Sequence, residues 1–299
     1  MGEIALAAQG QSEENLDVSV VILTHNSGRT IEGCVRSVIK ERPKEILAVD
    51  TRSRDKTLNI LMQYGVRVLF SPSNSLGYCR QLGVENARGK FVMFLDSDAE
   101  LGRGCIGALR SELEENGWAG IHAQILSQEN ETYWQRSNDE VFRRFFNRPG
   151  PRISIGTIAG MFRRELVLSH PFDPRMRRAE DHDLCRSLAK DEHIVGVSTA
   201  RAVVYHVHRR ELSEFARQHF NYGRYGGAMH FKKDRANQVL IAPFWSLSSA
   251  LQCALRYRRF GLVPYWVVDW LCDFLGLVVG MSEISSDESD SVVFAQKND

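Results

Sequence analysis

A chain of 299 residues can bury a full core, as one large domain or two small ones. Its 38 basic and 37 acidic side chains leave a net charge of +1, so no overall basic field argues for a nucleic-acid partner. Six scattered cysteines (Cys34, Cys79, Cys105, Cys185, Cys253 and Cys272), with no Cys-x-x-Cys pair, speak against a disulfide frame or zinc site.

Residues 1–16 read as a polar tail. They lack the basic start and long apolar run of a secretory signal, so a cytoplasmic setting is expected. Val18 to Thr24 has the pattern of a strand buried on both faces. A helix follows over about Thr30 to Glu41, with Ile31, Cys34, Val35, Val38 and Ile39 at helical spacing. Glu45 to Asp50 is a second strand and Asp55 to Tyr64 a second helix. Val66 to Phe70, Tyr78 to Ala87 and Phe91 to Leu95 continue as strand, helix, strand. Strands alternating with helices predict an α/β fold with a mostly parallel sheet. Ligands of such sheets sit beyond the carboxyl ends of the strands. Thr24, Asp50 and the pair Asp96/Asp98 all fall there.

The second half is less regular. Ile121 to Leu126 and Thr157 to Arg163 suit strands, separated by an Arg-rich, loop-like stretch from Arg136 to Arg152. Asp181 to Lys190 reads as a helix, His193 to Val197 and Ala202 to His206 as short strands, and Leu212 to Tyr225 as a helix. Residues 236–281 become apolar and aromatic. Within them Phe260 to Met281, 22 residues, is long enough to span a bilayer. Asp269 and Asp273 share one face of it, and each costs roughly 2.5 to 3.5 kcal/mol at a membrane centre. With Arg256, Arg258 and Arg259 as a basic flank, a helix lying in the membrane interface fits better than a span. Packing on the protein itself, or against a second copy, stays open. Residues 282–299, acidic and Ser-rich, are expected to be disordered.

Asp96 and Asp98 close the apolar run Phe91 to Leu95. At i and i+2 they point the same way and can share one divalent cation, although Asp-Ser-Asp is also ordinary turn chemistry. His206 and His208 have the same spacing, and either suits a metal shell or a structural role. Glu180 and Asp181 open a helix, where acids serve equally as caps.

Five segments, in order, resemble the family 2 glycosyltransferases, nucleotide-sugar-dependent enzymes of the GT-A fold. They are Val18 to Ser27, Glu45 to Thr57, Asn74 to Gly83, Asp96-Ser-Asp98 and Pro171 to Cys185, and the likeness runs from about Val18 to Gly227. A GT-A domain over 17–235 is therefore expected, with a helical segment over 236–281 and an acidic tail after it. The resemblance implies that Thr24, Asn26 and Asp50 hold the nucleotide base. Arg80 would face the diphosphate, and Asp96 the ribose or the metal. Asp98, with Asp96 and His206, would ligate Mg2+ or Mn2+, which stabilises the leaving diphosphate. Asp181 would be the general base of a single in-line inversion, and Glu180 would position hydroxyls. Arg224, in Tyr222 to Gly227, would clamp the donor. Gly160 to Arg164 resembles the acceptor-side strand, without a role for any one side chain.

The partners so implied are a UDP- or GDP-sugar donor and a hydroxyl or phosphate acceptor. A polyprenyl phosphate or lipid-linked glycan fits the C-terminal segment. Thr51 and Arg52 stand where the family often has a second Asp and a Gly, and Gln81 where it has Asn. No Gln-x-x-Arg-Trp motif occurs, against a processive synthase. A sugar-1-phosphate nucleotidyltransferase and a non-catalytic nucleotide-sugar-binding module are the competing classes. A dinucleotide-dependent dehydrogenase is disfavoured, since no Gly-x-Gly-x-x-Gly follows the first strand.

Overall fold

The computed structural model describes residues 16–228 and 258–295, with a few isolated positions between them. Arg256 and most of 229–257 therefore lie outside the described residues, as does the tail before Leu16. Strands β1 (Leu16–Thr24), β2 (Pro43–Asp50), β3 (Arg67–Phe70) and β4 (Phe91–Asp96) pair in parallel in the order β3-β2-β1-β4. Helices α1 (Ile31–Lys40), α2 (Thr57–Gln63) and α3 (Leu76–Asn86) make the crossovers, each within about two residues of its expected bounds.

Both faces of β1 are covered, which is why its sequence is continuously apolar. Val18, Val20 and Ile22 enter one core with residues of α1, and Val21 enters a second with Val84 and Leu184. Ser19 breaks this run at no exposure, and its hydroxyl donates to Glu45 and accepts from the Gly89 amide. Gly83 is small for a packing reason: a Cβ there would lie 2.5 Å from Val21 Cγ1.

The sheet continues β9-β6-β10-β8 (Ala159–Arg163, Gly120–His122, Val195–Val197, Gly150–Arg152). The mostly parallel sheet expected from the sequence holds, but β9 runs antiparallel to both β4 and β6, and β8 antiparallel to β10. The expected single strand Ile121 to Leu126 divides at Ala123. Its first part is β6. Its second, β7 (Gln124–Ser127), joins a three-stranded sheet with β5 (Ala99–Leu101) and β11 (Val203–His206). The Arg-rich stretch is not a loop. Thr132 caps α5 (Tyr133–Val141) in a capping box with Gln135, and a π turn over Phe142–Phe146 leads to β8.

Helix α4 (Cys105–Glu115) follows β5, α6 (Arg164–Ser169) follows β9, and α7 (Glu180–Lys190) precedes β10. Helix α8 (Leu212–Asn221) runs into a π turn over Tyr222–Gly227. Helix α9 (Val263–Ala295) runs into the acidic stretch for which disorder was expected. One face of α9 packs on the protein: Tyr265 and Trp266 are buried with Val141, Phe215 and Leu262. Asp269 meets His219 of α8, which accounts for one acid in an apolar helix. Val267, Leu271, Phe274, Leu275 and Val278 remain exposed on α9. By length and composition, Phe260–Glu283 is a stretch able to cross a bilayer.

Candidate active site

The carboxyl ends of β1, β2 and β4 meet at one rim, because the three strands are parallel and in register: Thr24 lies beside Asp50, and Leu23 beside Asp96. On the β1–β2 side a cleft of about 650 Å³ is lined by His25, Asn26, Thr51, Arg52, Arg54, Ser71 and Asn74, among others. Asp50 lies beneath this cleft, not in it. Fully buried, its carboxylate accepts from Thr24 Oγ1 (2.9 Å), the Ser53 amide (2.9 Å) and Ser53 Oγ (2.6 Å). These bonds let Asp50, expected to contact a base, shape the loop that follows β2. Thr24 is 2 % exposed and spends its hydroxyl on that bond.

Asn26 does line the cleft. Its amide donates to Ser53 Oγ and its side-chain oxygen accepts from the Arg54 amide. Both Asn26 (φ 50°) and Arg52 (φ 62°) sit in the left-handed region. The conformation at 52 suits the Gly seen in the family, and a non-Gly residue there stores roughly 1–2 kcal/mol of strain. Arg52 donates to the Pro72 carbonyl. A 2.7 Å bond between the Ser27 and Ser97 hydroxyls links this loop to the acidic pair.

Beyond β4 the acids converge. Asp96, Asp98 and His206 each offer a ligand atom within 4.8 Å of the others, with His206 Nε2 at 3.2 Å from Asp98 Oδ1. Two carboxylates and an imidazole form a donor set that fits Mg2+ or Mn2+. The antiparallel register opposes His206 to Ala99, next to Asp98, and this brings the histidine to the acids. Burial opposes ionisation of Asp98, yet the His206 hydrogen bond, the His206 charge and Arg209 outweigh it and hold the carboxyl below its ordinary value. Burial and then the Asp98 charge push Asp96 upward. His206 is raised: burial works against its charge, and the two acids more than compensate. His208 is buried as well, stacks on Phe142 and is held neutral by burial, its pKa lowered to about 3.

Arg80, expected to face a diphosphate, is buried between Glu180 and Asp96. Its side chain is 5 % exposed, ion-paired with Glu180, and reaches to 3.9 Å from Asp96. Glu180 is equally buried, and burial lifts its pKa to about 7 against the pull of Arg80. The pair leaves Arg80 Nε and Glu180 Oε2 without partners. Glu180 follows Ala179, a third non-glycine in the left-handed region (φ 59°), and opens α7. Asp181 is half-buried, and its Oδ1 accepts from the His182 amide.

Arg224 is also placed elsewhere. Expected as a donor clamp, it pairs with Glu283 of α9 and ties the π turn to that helix. The cations that bear on the acids are others. Arg209 Nη1 lies 3.9 Å from Asp98 Oδ2, and Arg178 acts on both Asp96 and Glu180. Sequence reasoning passed over both, though each flanks a motif: Arg178 precedes Glu180 by two residues, and Arg209 follows His206 by three. His122 was passed over too. It is 93 % buried at the end of β6, beside Asp181.

A largely parallel sheet carrying acids at its carboxyl rim, with an antiparallel strand inserted beside the acidic pair, defines a glycosyltransferase of the GT-A type. The profile of glycosyl transferase family 2 matches residues 19–169, about half of the chain, and the protein belongs to that family. It is similar to polypeptide N-acetylgalactosaminyltransferase 3 of Drosophila melanogaster, at 30 % identity over 46 % of this chain and 24 % of that protein. It also resembles TarS, a poly(ribitol-phosphate) β-N-acetylglucosaminyltransferase of Staphylococcus aureus, at 36 % identity over 27 % of this chain and 16 % of TarS. The TarS 1–349 structure superposes with a TM-score of 0.50 at 18 % identity, over 90 % of this chain and 91 % of that one. A structure of GalNAc-T7 with UDP, GalNAc and Mn2+ gives a TM-score of 0.53 at 19 % identity, over 67 % of this chain and 45 % of the other. The chain spans a quarter or less of these two curated relatives.

Proposed function

We propose that the protein is a metal-dependent, inverting transferase that moves a sugar from a UDP- or GDP-sugar to a hydroxyl or phosphate acceptor. The observation that carries this reading is the meeting of Asp96, Asp98 and His206 with Arg80 and Glu180 along one rim, Asp181 following Glu180 in the first turn of α7. Asp98, Asp96 and His206 would hold Mg2+ or Mn2+, and the GalNAc-T7 structure that shares the fold contains Mn2+. When bound, such an ion neutralises charge on a departing diphosphate.

The chain's own residues do the rest. The cleft under His25, Asn26 and Thr51 takes the nucleoside. Arg209 and Arg178 add positive charge near the diphosphate. Asp181 takes the proton of an acceptor hydroxyl on the far side of the sugar from the diphosphate. A polyprenyl phosphate acceptor is already ionised, and Asp181 would then only orient it. Glu180 fixes Arg80 against Asp96, which sets the distance between the acidic pair and the start of α7.

We place the enzyme at the cytosolic face of a membrane, in assembly of a lipid-linked glycan or surface polymer. Two features support this: the exposed apolar face of α9, and Arg258 and Arg259 exposed at its start. TarS, by its name, acts on a polymer, poly(ribitol-phosphate).

Product analysis tests the reaction. With a sugar nucleotide and Mn2+, free nucleoside diphosphate is expected, and pyrophosphate would point to nucleotidyl transfer. Asp98→Ala should abolish metal-dependent nucleotide binding and turnover together. For the membrane, Leu271→Glu with Leu275→Glu should release the protein from anionic vesicles. A truncation after Ala236 that still sediments with vesicles would refute this placement.

A further inference from the structure

His122 ends β6, where its carbonyl accepts from the Ser198 amide. The ring is 7 % exposed, and its Nε2 has no hydrogen-bond partner in the protein. The other ring nitrogen is spoken for by the Ala123 backbone, so Nε2 presents a lone pair. A buried polar atom of this kind is destabilising unless something meets it.

What lies in front of it is Gly156, in the loop before β9. A Cβ built on Gly156 would stand 3.6 Å from His122 Nε2 and 3.8 Å from Asp181 Oδ2, with no atom closer. The missing methyl thus leaves a notch bounded by the imidazole and by the carboxylate assigned as the base. Other glycines differ in this respect. At Gly77, Gly120 and Gly196 a Cβ would clash at 2.1 to 2.4 Å, so those positions need glycine for packing. Gly156 does not, and its φ lies outside the left-handed region.

We propose that this notch receives one hydroxyl of the transferred sugar ring, which donates to His122 Nε2 beside Asp181, and that His122 thereby selects the donor sugar. This rests on Asp181 as the base and Asp98 as a metal ligand, because the transferred sugar must then lie between the two. A neutral imidazole is well suited here, since it accepts from a hydroxyl without adding a charge next to the base. Burial keeps the ring neutral, its pKa lowered to about 4.

The test compares bare nucleotide with sugar nucleotide. UDP, GDP and a panel of their glucose, N-acetylglucosamine, N-acetylgalactosamine and mannose conjugates are titrated calorimetrically into the full chain with Mn2+. Gly156→Ala fills the notch at ordinary contact distance, so it should fold like the native chain. His122→Phe removes the lone pair, and His122→Gln restores an acceptor. For the conjugate that native protein binds more tightly than its bare nucleotide, Gly156→Ala and His122→Phe should each lose that preference by about tenfold, with affinity for UDP or GDP unchanged. His122→Gln should recover part of it. Gly156→Ala and His122→Phe both within twofold of native would overturn the proposal alone, as would an equal loss of bare-nucleotide affinity. Failure of the native chain to bind any nucleotide would overturn the transferase reading, and this inference with it.

Discussion

Around the ends of β1 and β2 the polar groups are bonded to one another: Asp50 to Thr24 and Ser53, Asn26 to Ser53 and Arg54, Asp55 to Gly28 and Thr57. Around α7 and the end of β6 several polar atoms stay open even where their residues are paired. Arg80 Nε, Glu180 Oε2, His122 Nε2 and, near the metal ligands, His208 Nε2 are buried without partners. Burial pushes Asp96 and Glu180 up and His122 and His208 down on this second side, whereas Asp55 in the first is lowered by its hydrogen bonds to Thr57. One side of the rim is a closed network of polar groups, the cradle proposed above for the nucleoside. On the other, hydrogen-bonding capacity is left open for atoms that arrive with the substrate, where preorganised polar groups act most strongly.

Substitutions on the two sides should therefore differ in kind. The largest effect is expected from Asp181→Asn, which should lower turnover by about 10²–10⁴-fold while leaving donor affinity nearly intact. Saturating kinetics beside calorimetric donor binding would check this, and unchanged turnover at saturation would remove Asp181 from its role. Next comes Arg80→Met, which strands the buried Glu180 carboxylate and should cost about 3–5 kcal/mol of stability by denaturant unfolding. Replacing both partners by apolar residues should recover most of that loss, because the remaining charge goes too.

A smaller effect is expected from pH. In the fold, the His122 pKa lies at about 4, below its ordinary 6.5. Between these values the unfolded chain binds more protons, so stability rises with pH across the interval and is complete above 6.5. Acidification from 6.5 to 4 should cost the native chain about 3 kcal/mol through this group, a slope that His122→Gln should flatten. The smallest effect is expected from Ser53→Ala in the cradle, at about 1–2 kcal/mol with turnover at saturation unchanged. A large loss of turnover there would erase the distinction between the two sides.

Local pattern made much of this readable. Continuous apolar runs marked β1 and β4, helical spacing marked α1, and the acids at strand ends marked the rim. Features set by distant pairing were not readable. Arg224 finds Glu283 across 59 residues, and nothing near Arg224 announces that partner. Asp50 shares its spacing with a base-contacting acid, and only the closure of Thr24 and Ser53 over it shows it to be buried. The break at Ala123 between two sheets leaves no trace in a stretch that alternates no differently before and after it. Three-residue strands carry too few side chains to show a period. Helix α5 was hidden by Arg136 and the arginines that follow it, since charge outweighed the capping box at Thr132.

The pairing of β11 with β5 and β7 carries one more consequence. His206 meets Asp98 only because it stands opposite Ala99, and along a strand each step of one position turns a side chain to the reverse face. Adding or deleting one residue in the short connection between Val197 and Val203 would present Tyr205 or Val207 at that spot instead. Such a protein could keep its core and melting point yet lose the contact between His206 and Asp98, so lineages of this enzyme should tolerate length changes almost anywhere on the surface sooner than there.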